Sequence, residues 1–427
     1  VNETSLGDVD SLKAILVVGD GMGDRPIRSM GNKTPLEAAR TPTLDKLASE
    51  GVTGLINILS PGIPPGSDTG HLALFGYDPW TCYTGRGPFE ALGAGIEILP
   101  GDVAFRGNFA FVQQLKDKTF KVLDRRAGRS VPEGDDLAAL INGVSIPGTP
   151  KVKVIVEHTV EHRCVLVLRG ARLSSKISDT DPHGHEDEVL KSEPLHDSTD
   201  AKRTASIVNK LTAEFYRILS ASPLNAKRRK AGLPEANMVL LRGAGILPEI
   251  PPLADIYGIS AACVAGGALY KGVARSVGMN VLDVPGATAS YDTDEVAKTQ
   301  AAAKALKTHD FVFVHFKPID SAAHDKDCAK KAAMIEKLDH LLSTLLDIID
   351  TSKTYIAVTA DHTTTCSSGI HTGDPVPLLI SGPEVRRDTV TNFSEHACAT
   401  GGLGHLEGVD LMPLLMNYLD KTPMFGA

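Results

Sequence analysis

Lys13-Ala14-Ile15-Leu16-Val17-Val18-Gly19-Asp20 decides the fold. Its apolar residues follow one another without polar alternation, so both faces of the segment must be covered, which is the pattern of a central strand in a parallel sheet. Gly19 ends the run and leaves Asp20 at the carboxyl end of the strand, the edge where open α/β sheets bind their ligands. Taken alone, Asp20 is an ordinary turn aspartate. The continuation Gly21-Met22-Gly23-Asp24 invites comparison with a dinucleotide-binding turn. Asp24 stands where the third glycine is needed for close helix packing, and the comparison is set aside.

The same theme returns along the chain. Gly54 to Leu59, Met238-Val239-Leu240-Leu241, Ala261 to Ala265, Phe311 to Phe316, Tyr355 to Thr359 and Val376 to Ile380 read as strands. Helical stretches run from Leu44 to Glu50 and from Thr199 to Ser220, where Ala205, Val208, Leu211, Phe215 and Leu219 recur at helical spacing and should pack on the core. Strand, glycine turn and helix in repetition give an α/β class with a doubly wound, mostly parallel sheet. Between Phe105 and Pro182 the character changes to short segments at Asn108 to Val112, Phe120 to Asp124, Val152 to His158 and Arg163 to Leu168, with one helix at Asp135 to Ile141. These predict a smaller inserted α+β domain over 105–185, leaving a discontinuous core of 1–104 and 186–427.

With 427 residues and 42% hydrophobic composition the chain can bury a large core. A net charge of −8 excludes nucleic acid and an anionic membrane as main partners, because a backbone-binding surface needs a basic excess. Any anionic substrate must be drawn by a local Arg and Lys cluster. The six cysteines lie scattered without Cys-x-x-Cys spacing, as expected of reduced thiols in a cytoplasmic protein. The start of the chain lacks a secretory pattern and no apolar run reaches the length of a membrane span. A homo-oligomer stays open.

Gly62-Ile63-Pro64-Pro65-Gly66-Ser67-Asp68-Thr69-Gly70-His71 turns the chain, and the apolar residues beyond it predict a helix starting near Ser67. By itself Ser67 reads as an N-cap serine. The sharper reading is a nucleophile at the positive end of a helix, where a transferred phosphoryl group is favoured. Asp320 and His324, one turn apart after an apolar strand, share a spacing suited to a divalent metal. Asp361 and His362 end the next strand, and His371 follows. With Asp20 and Ser67 on the same sheet edge, these groups form a charge cluster for metal cations to neutralise. Carboxylate and imidazole together suit Zn, Mn and similar ions, and two ions roughly 3.5–4 Å apart can hold both oxygens of a phosphoryl transfer. The segment Thr84-Gly85-Arg86-Gly87-Pro88-Phe89-Glu90 reads as a surface loop in preference to an anion cradle. Arg106, Asp124-Arg125-Arg126-Ala127-Gly128-Arg129 and Glu161-His162-Arg163 form basic ends of the insert, candidates for a phosphate and carboxylate clamp.

Asp20, Gly66-Ser67-Asp68-Thr69-Gly70-His71, Asp320-Ser321-Ala322-Ala323-His324, Asp361-His362 and His371-Thr372-Gly373-Asp374-Pro375-Val376-Pro377 together resemble the alkaline phosphatase superfamily, over nearly the whole chain. More closely they resemble cofactor-independent phosphoglycerate mutases of the archaeal type; the bacterial and plant branch has an asparagine where Gly66 stands. The resemblance implies an alkaline phosphatase-like core and two divalent metal ions (Mn, Zn, Co or Mg), one on Asp320, His324 and His371, the other on Asp20, Ser67, Asp361 and His362. It implies that Ser67 takes the phosphoryl group of 3-phosphoglycerate and returns it to the 2-hydroxyl. Arg106, Asp124, Arg125, Arg129, His162, Arg242 and Lys271 lie in segments similar to the family's substrate clamp, and the insert would exclude water as a lid. A metal-dependent phosphatase or phosphodiesterase of the same superfamily would use the same ligands. A nucleotide-binding module on Gly19 to Gly23 and a non-catalytic metal scaffold are the readings from other classes.

Overall fold

A computed structural model describes residues 11–146, 148–149, 151–183, 188–422 and 424–426. The chain divides into two compact units, Val1–Cys82 with Ile250–Ala427, and Tyr83–Glu249.

The first unit is built on an eight-stranded sheet in the order Gly404–Glu407, Val52–Asn57, Val376–Ser381, Thr354–Thr359, Lys13–Gly19, Phe311–Phe316, Ala261–Val264, Asn280–Val281. Of these strands one, Val376–Ser381, runs against its neighbours; the others are parallel. Lys13–Gly19 sits between two parallel partners, and Ala14 to Val18 are wholly buried, as their unbroken apolar run requires. Register does the functional work: Val18 lies opposite His315 on one side and Thr359 on the other. The three strands therefore end level, and the residues just past them, Asp20, Lys317 and Asp361, emerge at one edge. The helix Ser67–Leu74 has Gly66 as its N-cap, so Ser67 is its first turn and not its cap.

The second unit holds an antiparallel sheet in the order Phe120–Asp124, Val103–Gln114, Arg163–Arg169, Lys153–Val160, with Met238–Gly245 paired to the long Val103–Gln114. It is wider than the 105–185 expected from the sequence. Met238–Gly245 belongs here and not to the parallel core, because its alternate residues feed two different clusters: Met238 and Leu240 pack with Ala110, Val112 and Val122, while Val239 and Leu241 face the main core of this unit. That core is also where the apolar face of Thr199–Ser220 is buried, through Val208, Leu211, Phe215 and Leu219, so this helix too leaves the α/β layer assigned to it. Of the expected surface loop Thr84 to Glu90, Thr84 to Arg86 is irregular, whereas Gly87 to Glu90 is the buried start of a helix, Gly87–Gly93. A Cβ on Gly87 would stand 2.1 Å from the Ala104 carbonyl oxygen, so only glycine lets the helix lie on the strand.

Candidate active site

At the carboxyl edge of the first unit, three carboxylates and three imidazoles converge. Asp20, Asp320, Asp361 and His362 are wholly buried. Ser67, itself buried, places its Oγ 3.2 Å from His362 Nε2, and that nitrogen is 3.3 Å from Asp361 Oδ2 and 3.5 Å from Asp20 Oδ1. On the other side, His324 Nε2 lies 3.3 Å from both Asp320 Oδ2 and His371 Nε2, and His371 stacks on His362 with ring centroids 3.6 Å apart.

The protons on these rings follow from their partners. His324 Nδ1 is 2.7 Å from the Gly369 carbonyl and His371 Nδ1 2.8 Å from the Pro65 carbonyl. A carbonyl oxygen only accepts, so Nδ1 carries a proton in both rings; burial lowers His371, leaving its Nε2 a lone pair, whereas the Asp320 carboxylate beside His324 Nε2 raises His324. For His362 the argument takes one more step: the Thr364 hydroxyl donates to Asp320 Oδ1 at 2.7 Å, so it accepts from His362 Nδ1 at 2.9 Å. The His362 and His371 rings, both held below their ordinary value by burial, thus aim an unprotonated Nε2 at carboxylate oxygens, an arrangement that repels unless a cation lies between. Asp361 Oδ2 is buried with no hydrogen-bond donor among the described residues. Burial and the neighbouring Asp20 charge push the Asp361 carboxyl well above its usual range. Asp20 goes the other way: burial would raise it, but the Lys317 ammonium and the hydrogen bond from His315 together outweigh that and hold it ionised. The donor set fits divalent metal, and two groups satisfy the spacing: Asp20 with Asp361 and His362, and Asp320 with His371 and His362. His362 therefore stands near both groups, whereas the resemblance implies a place on one.

Two glycines make this packing achievable. Gly21, at φ +64°, donates its N–H to Asp361 Oδ1 at 3.1 Å, and a Cβ there would come within 2.6 Å of Asp320 Oδ1. On the helix that carries Ser67, a Cβ on Gly70 would come 2.5 Å from the Asp361 carbonyl oxygen. The glycine-rich turn after the first strand is thus built for close approach of backbone to carboxylates.

Sequence reasoning missed several members. Lys317 bridges Asp20 Oδ1, at 3.1 Å, and Asp320. His315 Nε2 donates to Asp20 Oδ2 at 2.8 Å and its ring stacks on Tyr270. Burial lowers His315 to about 3, so it is neutral. His71 is wholly buried beneath Ser67, its Nδ1 2.6 Å from the Ser67 carbonyl. A histidine inside the apolar run Phe311–Phe316 was the signal available for His315.

In the second unit, the antiparallel register sets Arg106 directly opposite Arg242. Like charges so placed are destabilising, and counter-charges offset only part of it. Glu90, between Arg86 at 2.9 Å and Arg106 at 3.5 Å, is driven down to about 2: burial opposes ionisation, and the two arginines overcome it. Asp181 takes a two-pronged contact from Arg125, both bonds 2.6 Å, and lies 3.8 Å from Arg242 Nε. The Nε groups of Arg106, Arg163 and Arg242 are buried with no hydrogen-bond partner among the described residues. Burial and the nearby Arg163 lower His162 to about 4. Asp124 accepts from Arg126 and Gly128 N–H, each at 2.8 Å, shaping its loop and not contacting a cation. Arg129 is exposed and pairs with Glu161 at 3.1 Å. Lys271 belongs to the first unit, on the helix Ala268–Ser276. His183 contacts Asp179 at 3.1 Å.

A sequence model of the family described as 2,3-bisphosphoglycerate-independent phosphoglycerate mutase matches residues 48–225. A protein of that name from Ignicoccus hospitalis is 49% identical over 97% of this chain and 99% of its own length. One from Methanocaldococcus jannaschii is 44% identical over 97% of this chain and 99% of its own. Among solved structures, a Pyrococcus horikoshii protein superposes with a TM-score of 0.85 at 38% identity, covering 98% of this chain and 100% of that one. A cofactor-independent phosphoglycerate mutase from Thermoplasma acidophilum gives 0.69 at 36% identity, covering 96% and 100%.

Proposed function

Since the chain belongs to the 2,3-bisphosphoglycerate-independent phosphoglycerate mutase family, we propose that it interconverts 3-phosphoglycerate and 2-phosphoglycerate with Ser67 as the phosphoryl carrier. The observation that carries this reading is the Ser67 hydroxyl at 3.2 Å from His362 Nε2, at the edge of three buried carboxylates. Two divalent ions (Mn, Zn, Co or Mg) are proposed on Asp20, Ser67, Asp361 and His362, and on Asp320, His324 and His371. When bound, they supply positive charge that lowers the pKa of the serine hydroxyl and offsets charge on the transferring phosphoryl oxygens.

The chain's own residues do the rest. Ser67 Oγ gives up its proton and forms the new bond to phosphorus as the bond to the 3-oxygen breaks, and that departing oxygen takes up a proton to become the glycerate hydroxyl. The second transfer is the reverse at the 2-hydroxyl. Gly369 and Pro65 hold the His324 and His371 rings through Nδ1, so their Nε2 atoms stay aimed inward. Lys317 brings a cation to the same edge, where a phosphoryl group would carry its charge. The substrate's other anionic group is assigned to Arg106, Arg125, Arg129, Arg242 and His162, with Asp124 shaping their loop and Lys271 as a further cation. The under-satisfied guanidinium Nε groups support this, because an oxyanion would fill their free valences.

A coupled assay with 3-phosphoglycerate and no added 2,3-bisphosphoglycerate tests the proposal. Turnover to 2-phosphoglycerate is expected. Release of inorganic phosphate from a trapped phosphoenzyme, with none returned to glycerate, would make the protein a phosphatase on the same residues.

A further inference from the structure

Behind the carboxylate cluster lies a lysine that the reaction does not use. Lys331 is 0% exposed, and its ammonium makes three contacts, to the Gly23 carbonyl at 2.8 Å, the Thr364 carbonyl at 2.8 Å and Asp24 Oδ2 at 2.9 Å. An ammonium has three donors, and here all three are used. Asp24 is equally committed, its carboxylate accepting from Arg25 N–H at 2.8 Å and Cys366 N–H at 3.1 Å.

These acceptors sit on two loops that approach from distant parts of the sequence. The loop through Gly23 and Asp24 also carries Asp20 and the Gly21 N–H that holds Asp361. The loop through Thr364 and Cys366 also carries Asp361 and His362. Thr364 is the joint: Lys331 pins its carbonyl, while its hydroxyl contacts Asp320 Oδ1 at 2.7 Å and His362 Nδ1 at 2.9 Å. Those are one member from each side of the cluster. A further backbone bond, Thr364 N–H to Gly23 carbonyl at 3.2 Å, closes the two loops on each other.

We propose that Lys331, paired with Asp24, is a positioning residue for the divalent-metal site, setting through Thr364 the separation of Asp320 from His362 and of the Asp20 loop from the Asp361 loop. This rests on the metal reading above. A buried ion pair adds little to stability over well-packed apolar groups, so its effect is expected in the geometry of the ligands. Lys331 touches neither substrate nor metal.

The test is the dissociation constant for Mn²⁺, measured by calorimetry on the full chain without substrate, beside the melting temperature. Lys331→Met leaves the Asp24 carboxylate buried alone and should lower both stability and Mn²⁺ affinity. The double variant Asp24→Asn with Lys331→Met buries no charge, so it should recover most of the stability while Mn²⁺ binding stays weaker by up to roughly 10-fold, the low end of the effect of losing a direct partner of a metal ligand, because Lys331 acts through Thr364. If neither folds, the double variant Asp24→Asn with Lys331→Gln also buries no charge, keeps amide groups to hydrogen-bond there, and should still weaken Mn²⁺ binding by at least about threefold. A folded variant that binds Mn²⁺ as the parent does overturns the inference and leaves Lys331 a structural ion. A parent that takes up no Mn²⁺ overturns the metal reading itself.

Discussion

Gly70→Ala tests the site geometry at a residue that touches no reacting atom. On helix propensity alone the change should stabilise, by about 1 kcal/mol for alanine over glycine in a helix interior. The structure reverses the sign. The added Cβ would lie 2.5 Å from the Asp361 carbonyl oxygen, and ordinary contact begins at 3.4 Å. The helix Ser67–Leu74 and the Asp361 segment must therefore separate by about 0.9 Å along that line. Overpacking of this kind costs about 1–3 kcal/mol, which outweighs the propensity gain. Separation also carries Ser67 away from His362 and Asp361, and a displacement near 1 Å costs on the order of 100-fold in rate. Steady-state kinetics at saturating Mn²⁺ and 3-phosphoglycerate should show kcat down by about that factor with a lowered melting temperature. A variant that melts higher than the parent and turns over within threefold of it would refute the claim that helix and carboxylate loop are in hard contact.

Ser67→Ala should remove turnover and phosphoenzyme labelling together; activity within tenfold of the parent would take the serine out of the chemistry. Chelation should inactivate the enzyme and Mn²⁺ restore it, whereas an unchanged rate after verified metal removal would exclude metal from the site. Arg242→Met relieves the cross-strand repulsion with Arg106, so the melting temperature should hold or rise while KM increases at least about tenfold; a lower melting temperature with unchanged KM would make the residue structural. Glu395, half-buried beside Thr34 and Asp24, is raised to about 7 by its loss of solvent. The folded chain then keeps a proton that the unfolded chain has lost from about pH 4.5, so this group costs stability as pH rises through that window, about 2–3 kcal/mol by pH 7 and constant above. Glu395→Gln should flatten that part of the stability profile measured by denaturant titration, and an unchanged slope would contradict it.

The edge that gathers the carboxylates and imidazoles was legible because parallel strands covered on both faces leave an unbroken apolar run, and the residue after each run is at the edge by construction. The places of Asp20, Asp361 and His362 at that edge follow from it, and the shared face of Asp320 and His324 from one helical turn; that they hold metal is implied by the resemblance. The same signature misled at Met238–Leu241. A strand between two apolar clusters is equally unbroken in sequence whether its neighbours are parallel or antiparallel, and only pairing with Val103–Gln114 decides which unit it joins. The helix Thr199–Ser220 shows the same limit, since periodicity gives an apolar face but not the surface that covers it.

The polar residues that were missed share a cause. Nothing in the local sequence marks Lys317 or Lys331, because what holds each one is a set of acceptors brought from elsewhere; Asp24 and Lys331 are 307 residues apart. Arg106 and Arg242 were both suspected, yet that they face each other is a fact of register. Taken separately, the two units have opposite deficits. The first crowds carboxylates and lone-pair imidazole nitrogens with too few cations among the described residues; the second crowds guanidinium groups whose Nε atoms lack acceptors. Each arrangement is costly in isolation, and the two deficits are of the kind that divalent cations and a doubly anionic phosphorylated acid would make good. Destabilised charge at two sites of opposite sign is therefore a functional signature in its own right, read from hydrogen-bond accounting with no appeal to kinship.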